Sequence, residues 1–375
     1  MYLLNDILRK FSVCVIMAIA MALPVAAAAS TNTENSGAAI NPKEIIFEHL
    51  GDGYGWEVPF NHHMRMPLPV IVWGKDGLHC FMSSKIDHGQ TYTDGSATFK
   101  IAGKDSPYKG KIVEIIDGKE YKPWDFSITK NVCALFITVI LVILSIMSVA
   151  RWHRRMGHKA PRKFVGALES LITFIYDGVI KPTLGAKALK FAPYLLTVFF
   201  FILYMNLLGL IVVFPGGANL TGNIAVTLVL ALITFFITNF MGTKHYWKEV
   251  LWPDVPMWLK FPLPIMPVIE IFGVFTKPAA LTVRLFANMM GGHMIVLVLT
   301  LLIFIFGAMG AAVAGATSVV SVCFSVFMLL IDVLVSFIQA YVFTMLSTLF
   351  IAFGQEDGHV HDKHGNTPLT EIEQK

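Results

Sequence analysis

Of 375 residues, 55% are hydrophobic and 14% charged, the mean hydropathy is +0.65 and the formal net charge is +4. Ordinary soluble domains carry about 25% charged residues, so these values exclude a soluble globule and specify a polytopic membrane protein. The small cationic excess gives no ground for nucleic-acid binding.

Residues 1–30 read as a secretory signal peptide. Arg9 and Lys10 form a basic start, Phe11 to Leu23 an apolar core, and Pro24 to Ala29 a small-residue cleavage region. The following segment, 31–129, is polar and is expected to be exported as a small β-rich module. Asn41, Pro42 and Glu44 have the order of an N-cap, a first helical residue and an acid three residues after the cap, so a short amphipathic helix is expected through Leu50. Pro69 to Trp73 and Leu78 to Met82, joined through Gly74-Lys-Asp-Gly77, have the pattern of a β-hairpin, and Ala97 to Ile101 and Lys111 to Ile116 predict further strands. His62 and His63 lack a spaced partner and are read as surface residues, not metal ligands. Cys14, Cys80, Cys133 and Cys323 give no disulfide framework.

The membrane domain is expected over 130–355, with five membrane-crossing segments at about 131–150, 191–214, 224–241, 265–306 and 318–353. The first ends at Arg151-Trp-His-Arg-Arg155, followed by Lys159, Arg162 and Lys163. Positive residues collect on the cytoplasmic side, so this span runs inward, as an exported module before it requires. Residues 164–180 place Phe164, Leu168, Leu171, Ile172, Ile175 and Val179 on one stripe, predicting an amphipathic helix on the cytoplasmic surface. Lys244, Lys248 and Lys260 mark the inside again after the third span. Residues 356–375, with His359, His361 and His364, are expected as a solvated cytoplasmic tail.

The fourth run is too long for a perpendicular crossing and is expected to be steeply tilted or broken, with Pro278 and Gly291-Gly292 as candidate bends. At its centre stands Arg284. An arginine at mid-membrane costs roughly 2.5–3.5 kcal/mol on insertion scales and does not escape by deprotonation, so it is a functional candidate by default. Glu270 precedes it by nearly four helical turns and Asn288 follows by one, on about the same face. In the last run Asp332 and Gln339 lie a heptad apart. The uncharged stretch Gly307 to Ser318 connects the runs. If they fold back as an antiparallel hairpin, Arg284 with Gln339 and His293 with Asp332 have nearly equal sums of residue number. Both polar pairs therefore meet in one register.

These residues resemble subunit a, the stator membrane subunit of rotary F-type ATP synthases. The family's arginine is followed by Leu-x-x-Asn, as in Arg284-Leu-Phe-Ala-Asn288, with an acid fourteen positions earlier, here Glu270, and a titratable residue nine later, here His293. Its final helix carries a titratable group and then a glutamine seven residues on, matched by Asp332 and Gln339. The likeness runs from about Lys163 to Gln355; the signal peptide is a departure from the family pattern.

The resemblance implies a proton-translocating subunit that is not an enzyme on its own and binds no cofactor or metal. Its implied partners are the c-ring, the subunit b stalk, other ATP synthase subunits and membrane lipid, in a bacterial inner membrane. Arg284 would face the ring carboxylates. His293 and Asp332, helped by Asn288 and Gln339, would serve an outer half-channel, and Glu270 an inner one. A static interhelical bond between His293 and Asp332 is the alternative for that pair. Where some members have an acid this chain has Gly209, and Asn206, Asn219, Thr221 and Asn223 are expected to line a hydrated entrance. An ion-coupled substrate transporter is the competing class, but paired broken segments in two similar halves are not seen. An intramembrane hydrolase would need a motif such as His-Glu-x-x-His or Gly-x-Ser-x-Gly, and neither occurs.

Overall fold

The computed structural model describes residues 51–355 except 59–60, 87–89, 96, 104–105, 117, 158–160, 162, 212–216, 252–264 and 308–310. The expected signal peptide, the helix before Leu50 and the C-terminal tail lie outside the described residues.

Short alternating segments form the N-terminal part. Its strands are β1 (Gly55–Val58), β2 (Asn61–Pro67), β3 (Pro69–Gly74), β4 (Gly77–Met82), β5 (Tyr92–Asp94), β6 (Ala97–Ile101), β7 (Ile112–Ile116), β8 (Lys119–Tyr121) and β9 (Trp124–Asp125). All pairings are antiparallel, in sheets ordered β1-β2, β4-β3-β9 and β5-β6-β7-β8. The expected hairpin is β3 and β4, closed where Gly74 pairs with Gly77. Gly77 has φ 127°, a conformation that only glycine adopts without strain. Val70, Val72, Phe81, Ile86, Phe99 and Ile112 fill the core between the sheets. Tyr54 donates its hydroxyl to Asp125 and accepts from the Ile112 N–H at 3.4 Å. Burial, and then the bond to Asp125, push that phenol well above its ordinary pKa.

The rest is helical: α1 (Lys130–Met156), α2 (Lys163–Ile175), α3 (Lys181–Leu184), α4 (Ala188–Leu210), α5 (Ile224–Phe240), α6 (Lys244–Leu251), α7 (Ile265–Gly307) and α8 (Ala311–Gly354). Thr129 caps α1 by accepting from the Val132 N–H at 3.4 Å, and Gly157 ends it. Arg154 and Arg155 in its last turn sit where the helix dipole favours cations. His153 meets Glu169 of α2 at 3.2 Å, tying the two ends together. A π-turn at Tyr176–Ile180 and a 3-10 turn at Gly185–Lys187 join α2 to α4. Leu168, Ile175 and Val179 are buried, whereas Phe164 is 64% exposed. The expected stripe thus packs along most of its length against the same core as α4 and is open at its start.

That core centres on Leu195, Phe199, Phe200 and Ile202 of α4, with Leu281 and Leu285 of α7 and Ala340 and Phe343 of α8. Ser145 and Tyr204 share a hydrogen bond at 2.7 Å between α1 and α4, as do Tyr194 and Thr234 at 2.8 Å between α4 and α5. Four stretches are long and apolar enough to cross a membrane: 130–156, 164–210, 269–299 and 317–354. The fifth expected span, α5, has 17 residues, the lower end of the usual range for a crossing helix.

Two expectations are corrected. The run containing Arg284 is not broken: α7 is one 43-residue helix with Pro278 inside it, about 65 Å long at 1.5 Å per residue. The connection to the last run is also shorter than Gly307 to Ser318, because α8 begins at Ala311. Ala311, Ala312, Ala314 and Ala316 supply the strongest helix formers there, and small size alone was a poor guide to a turn. α7 and α8 pack as an antiparallel hairpin against α5 and α4. At the end far from the module, Lys187 donates to the Gln355 carbonyl at 2.7 Å, and the Thr243 N–H donates to the Gly354 carbonyl at 2.8 Å.

Phe99 is fully buried. Phe99→Ala should destabilise the module by about 3–5 kcal/mol. Limited proteolysis of the detergent-solubilised protein should then release module fragments sooner while leaving the helical domain intact.

Candidate functional site

Of the polar residues singled out in the last two runs, Arg284, Asn288, His293, Asp332 and Gln339 fall along the upper two thirds of the α7/α8 hairpin, and Glu270 lies near its lower end. Asn288 Nδ2 donates to Gln339 Oε1 at 2.7 Å, which locks α7 to α8 at that level. Gln339 is 4% exposed and its Nε2 has no protein hydrogen-bond partner. About one turn further along α7, Gly292 receives the Asp332 carboxylate: a Cβ on Gly292 would lie 2.6 Å from Oδ1 and 3.0 Å from Oδ2. The glycine is therefore a seat, and it sets Asp332 beside the residue preceding His293. The expected pairing is displaced: Asn288, one helical turn beyond Arg284, bonds Gln339, and Asp332 rests on Gly292, one residue before His293, with no His293–Asp332 hydrogen bond among the described residues.

His293 points toward α4. Its Nε2 is buried without a hydrogen-bond partner and lies 3.6 Å from the position of a Cβ on Gly209. A side chain at Gly209 would thus face this imidazole, after displacing the flexible end of Met289 at 2.7 Å. Between the hairpin and α4, Asn206, Asn288, Asp332, Ser336 and Gln339 share a small cavity with Leu285 and Met289, with room on the order of one water molecule. Asn206 is 2% exposed and its Oδ1 has no protein partner. Of the other expected entrance residues, Asn219 accepts from the Gly222 N–H at 2.8 Å and Asn223 caps α5 through the Ala225 N–H at 3.0 Å. Both have turn-building roles, which leaves Thr221, fully buried with an unpartnered hydroxyl, as a more suitable lining group.

Arg284 takes a different position. It lies on the exposed face of the hairpin beside Val283, 57% exposed, and across from Ile338, 46% exposed. Among the described residues no acid pairs with it. A permanent cation thus stands on an apolar outer wall, without an acid partner among the described residues. Glu270, near the start of α7, is half-buried and acts electrostatically on Tyr246 of α6. Burial, and then the Glu270 charge, raise the Tyr246 phenol above its ordinary pKa. Tyr246 donates to Asn239 Oδ1 at 3.3 Å. A second cavity below Arg284 is lined by Thr234, Thr238, Asn239, Tyr246, Lys277 and Pro278 with apolar neighbours.

Sequence reasoning missed this lower polar group. Thr234, Thr238 and Asn239 look like ordinary members of an apolar run, and Tyr246 belongs to the short helix α6, where no element was expected. Their periodicity was the available signal, since Thr234, Thr238 and Asn239 recur at helical spacing on α5. Gly292 was likewise read as a bend when its function is close packing.

Comparison with known proteins agrees with this architecture. Residues 132–352 match the family model described as ATP synthase A chain, and residues 45–126 match a domain of unknown function. The chain is 44% identical over 255 residues to ATP synthase subunit a 2 of Chlorobaculum tepidum, covering 65% of this chain and 68% of that protein. It is 41% identical over 250 residues to ATP synthase subunit a of Myxococcus xanthus, covering 64% and 77%. With ATP synthase subunit a of Chloroherpeton thalassium it shares 39% identity over 329 residues, covering 81% and 93%.

Gly291 and Gly292 should respond differently to a side chain. A Cβ on Gly291 meets nothing within 4 Å, so Gly291→Ala should leave the subunit in the purified complex at normal stoichiometry. Gly292→Val drives a methyl into the Asp332 carboxylate and should deplete the subunit from that complex, as read by quantitative mass spectrometry.

The match over most of the membrane domain, the two-thirds coverage of similar proteins and the polar hairpin place this chain in the ATP synthase subunit a family.

Proposed function

We propose that this chain is the stator subunit through which protons cross the membrane to turn the c-ring, with Arg284 as the charge that forces them to travel by rotation. The observation that carries the reading is the position of Arg284: a cation on an exposed apolar wall without an acid partner among the described residues. Facing lipid alone it would cost several kcal/mol. Facing a ring of carboxylates it gains an ion partner at every step. The subunit itself catalyses no bond chemistry; it is the membrane part of an assembly whose other subunits handle ATP.

The route follows the geometry. A proton arriving from the module side reaches His293 and Asp332, with Asn206, Asn288 and Gln339 orienting the water between them. It neutralises a ring carboxylate, which then turns into lipid. On the far side of the ring's circuit the carboxyl approaches Arg284 and releases its proton toward Glu270, because a fixed cation favours the ionised form. The proton leaves past Tyr246 and Asn239 to the inner face. Protons do not hop past Arg284, so the two halves do not short-circuit. In this reading α5 is the fifth membrane crossing, the module lies outside and Gln355 inside. The ring and a peripheral stalk are the direct partners, in a bacterial inner membrane.

Arg284→Ala in the intact complex should abolish ATP-driven proton pumping in inverted vesicles while ATP hydrolysis in the detached soluble part persists. Pumping at the wild-type rate would assign Arg284 a structural role and end this mechanism. Asp332→Asn should lower pumping by roughly a hundredfold, the lower end of what a positioned acid–base group contributes. Glu270→Gln should do the same from the opposite side.

A further inference from the structure

The β module and the polar end of the helical domain meet at one side chain. Trp56 on β1 is 2% exposed and lies in a single packed cluster with Ala134 at the head of α1, Met205 near the end of α4, and Ala218 and Leu220 between α4 and α5. Two bonds hold this seat: the Lys130 N–H donates to the Gly53 carbonyl at 2.9 Å, and the Asn131 N–H donates to the Asp52 carboxylate at 3.2 Å.

The cluster is apolar, but its immediate neighbours are not. Asn131 Oδ1, Asn206 Oδ1, Asn219 Nδ2 and Thr221 Oγ1 are buried without a protein hydrogen-bond partner. Asn206 follows Met205 in the chain, Asn219 separates Ala218 from Leu220, and Thr221 follows Leu220. Buried polar atoms without protein partners are uncommon, and a group of them marks a place that bridging water fills. The group continues downward to the imidazole: the Ala218 carbonyl and His293 Nε2 each lie 3.6 Å from the position of a Cβ on Gly209. Trp56 is thus packed among residues that adjoin, in the chain, a group of buried unpartnered polar atoms, and that group reaches toward His293 through Gly209 and Ala218.

We propose that the N-terminal module is a lid on the outer half-channel, with the Trp56 indole as its plug. The lid admits protons along bound water and keeps bulk solutes and hydrated ions out of the cleft. This rests on assigning His293 to the outer path, and it gives the 45–126 domain a task in the subunit: control of access to the proton entrance.

The test uses the assembled complex in spheroplasts, with Cys14, Cys80, Cys133 and Cys323 replaced by serine and Thr221→Cys as reporter. A charged, membrane-impermeant methanethiosulfonate is added from outside and the labelling rate is measured. With Trp56 present, labelling should be slow. Trp56→Ala should accelerate it by roughly tenfold, as expected when protection by a local closure is removed, and Trp56→Phe should leave it slow. Asp52→Ala removes the carboxylate that accepts from the Asn131 and Gly53 N–H groups, on an exposed residue, and should give an intermediate rate, which keeps the test decisive if Trp56→Ala does not assemble. Equal rates in all four proteins would overturn the lid. Inverted vesicles prepared after labelling should show lost ATP-driven pumping. Fast labelling that leaves pumping intact would overturn the outer-path assignment, and with it the lid's role in proton entry.

Discussion

A cation that does not shed its proton, carried on a surface with no water to solvate it, is the constraint around which this protein is arranged. Arg284 needs a counter-charge, and among the described residues none is provided within the chain. Its side of the hairpin must therefore remain open to another body, and the opposite side must carry the packing. The burial pattern follows that division. Leu281 and Leu285, which bracket Arg284 on α7, face the core with α4 and α8, whereas Val283 and Ile338 face outward. The length of the hairpin has the same origin. Two helices of 43 and 44 residues far exceed the thickness of a bilayer when upright, but laid obliquely they present one long wall to a partner.

Polar residues within that wall are separated into two groups. The upper group, from Asn206 and Thr221 to His293 and Asp332, lies toward the β module; the lower group, from Thr234 and Asn239 to Tyr246 and Glu270, lies toward Gln355. Between them, at the level of Arg284, the helices pack with apolar side chains. In the proposed mechanism the two groups serve opposite sides of the membrane, which is the separation that rotary coupling needs. Their chemistry differs as well. The upper cleft has an imidazole beside a carboxylate, two groups suited to exchanging protons, while the lower one combines a carboxylate with hydroxyls and an amide.

Much of this was legible in the sequence because each signal had one strong physical cause. The cost of Arg284 in an apolar run, the heptad from Asp332 to Gln339 and the fold-back register together gave the hairpin and all of its upper polar residues. The β3–β4 hairpin was visible from Gly74 and Gly77 and the alternation around them. The finer pairing was less legible, because index sums ignore that Gly292 lets Asp332 approach the α7 backbone, and the contacts are displaced by between one residue and one helical turn. Strands β1, β2, β5, β8 and β9 were missed: β1, β5, β8 and β9 have four residues or fewer, and in β2 the adjacent histidines, Arg65 and Pro67 obscure alternation. Trp56 carried no local signal, since its partners come from α1, α4 and the connection after α4, far away in sequence.

The central claim is that the face bearing Arg284 and Ile338 lies against the ring. Its most direct test is a disulfide between Ile338→Cys and a cysteine placed one helical turn from the ring carboxyl, in an assembled complex whose natural cysteines are replaced. The account predicts that mild oxidation links the subunit to one ring protomer, stops ATP-driven pumping, and that reductant restores it. A face that forms no crosslink with any ring position at that depth, in a complex that still pumps, would contradict it.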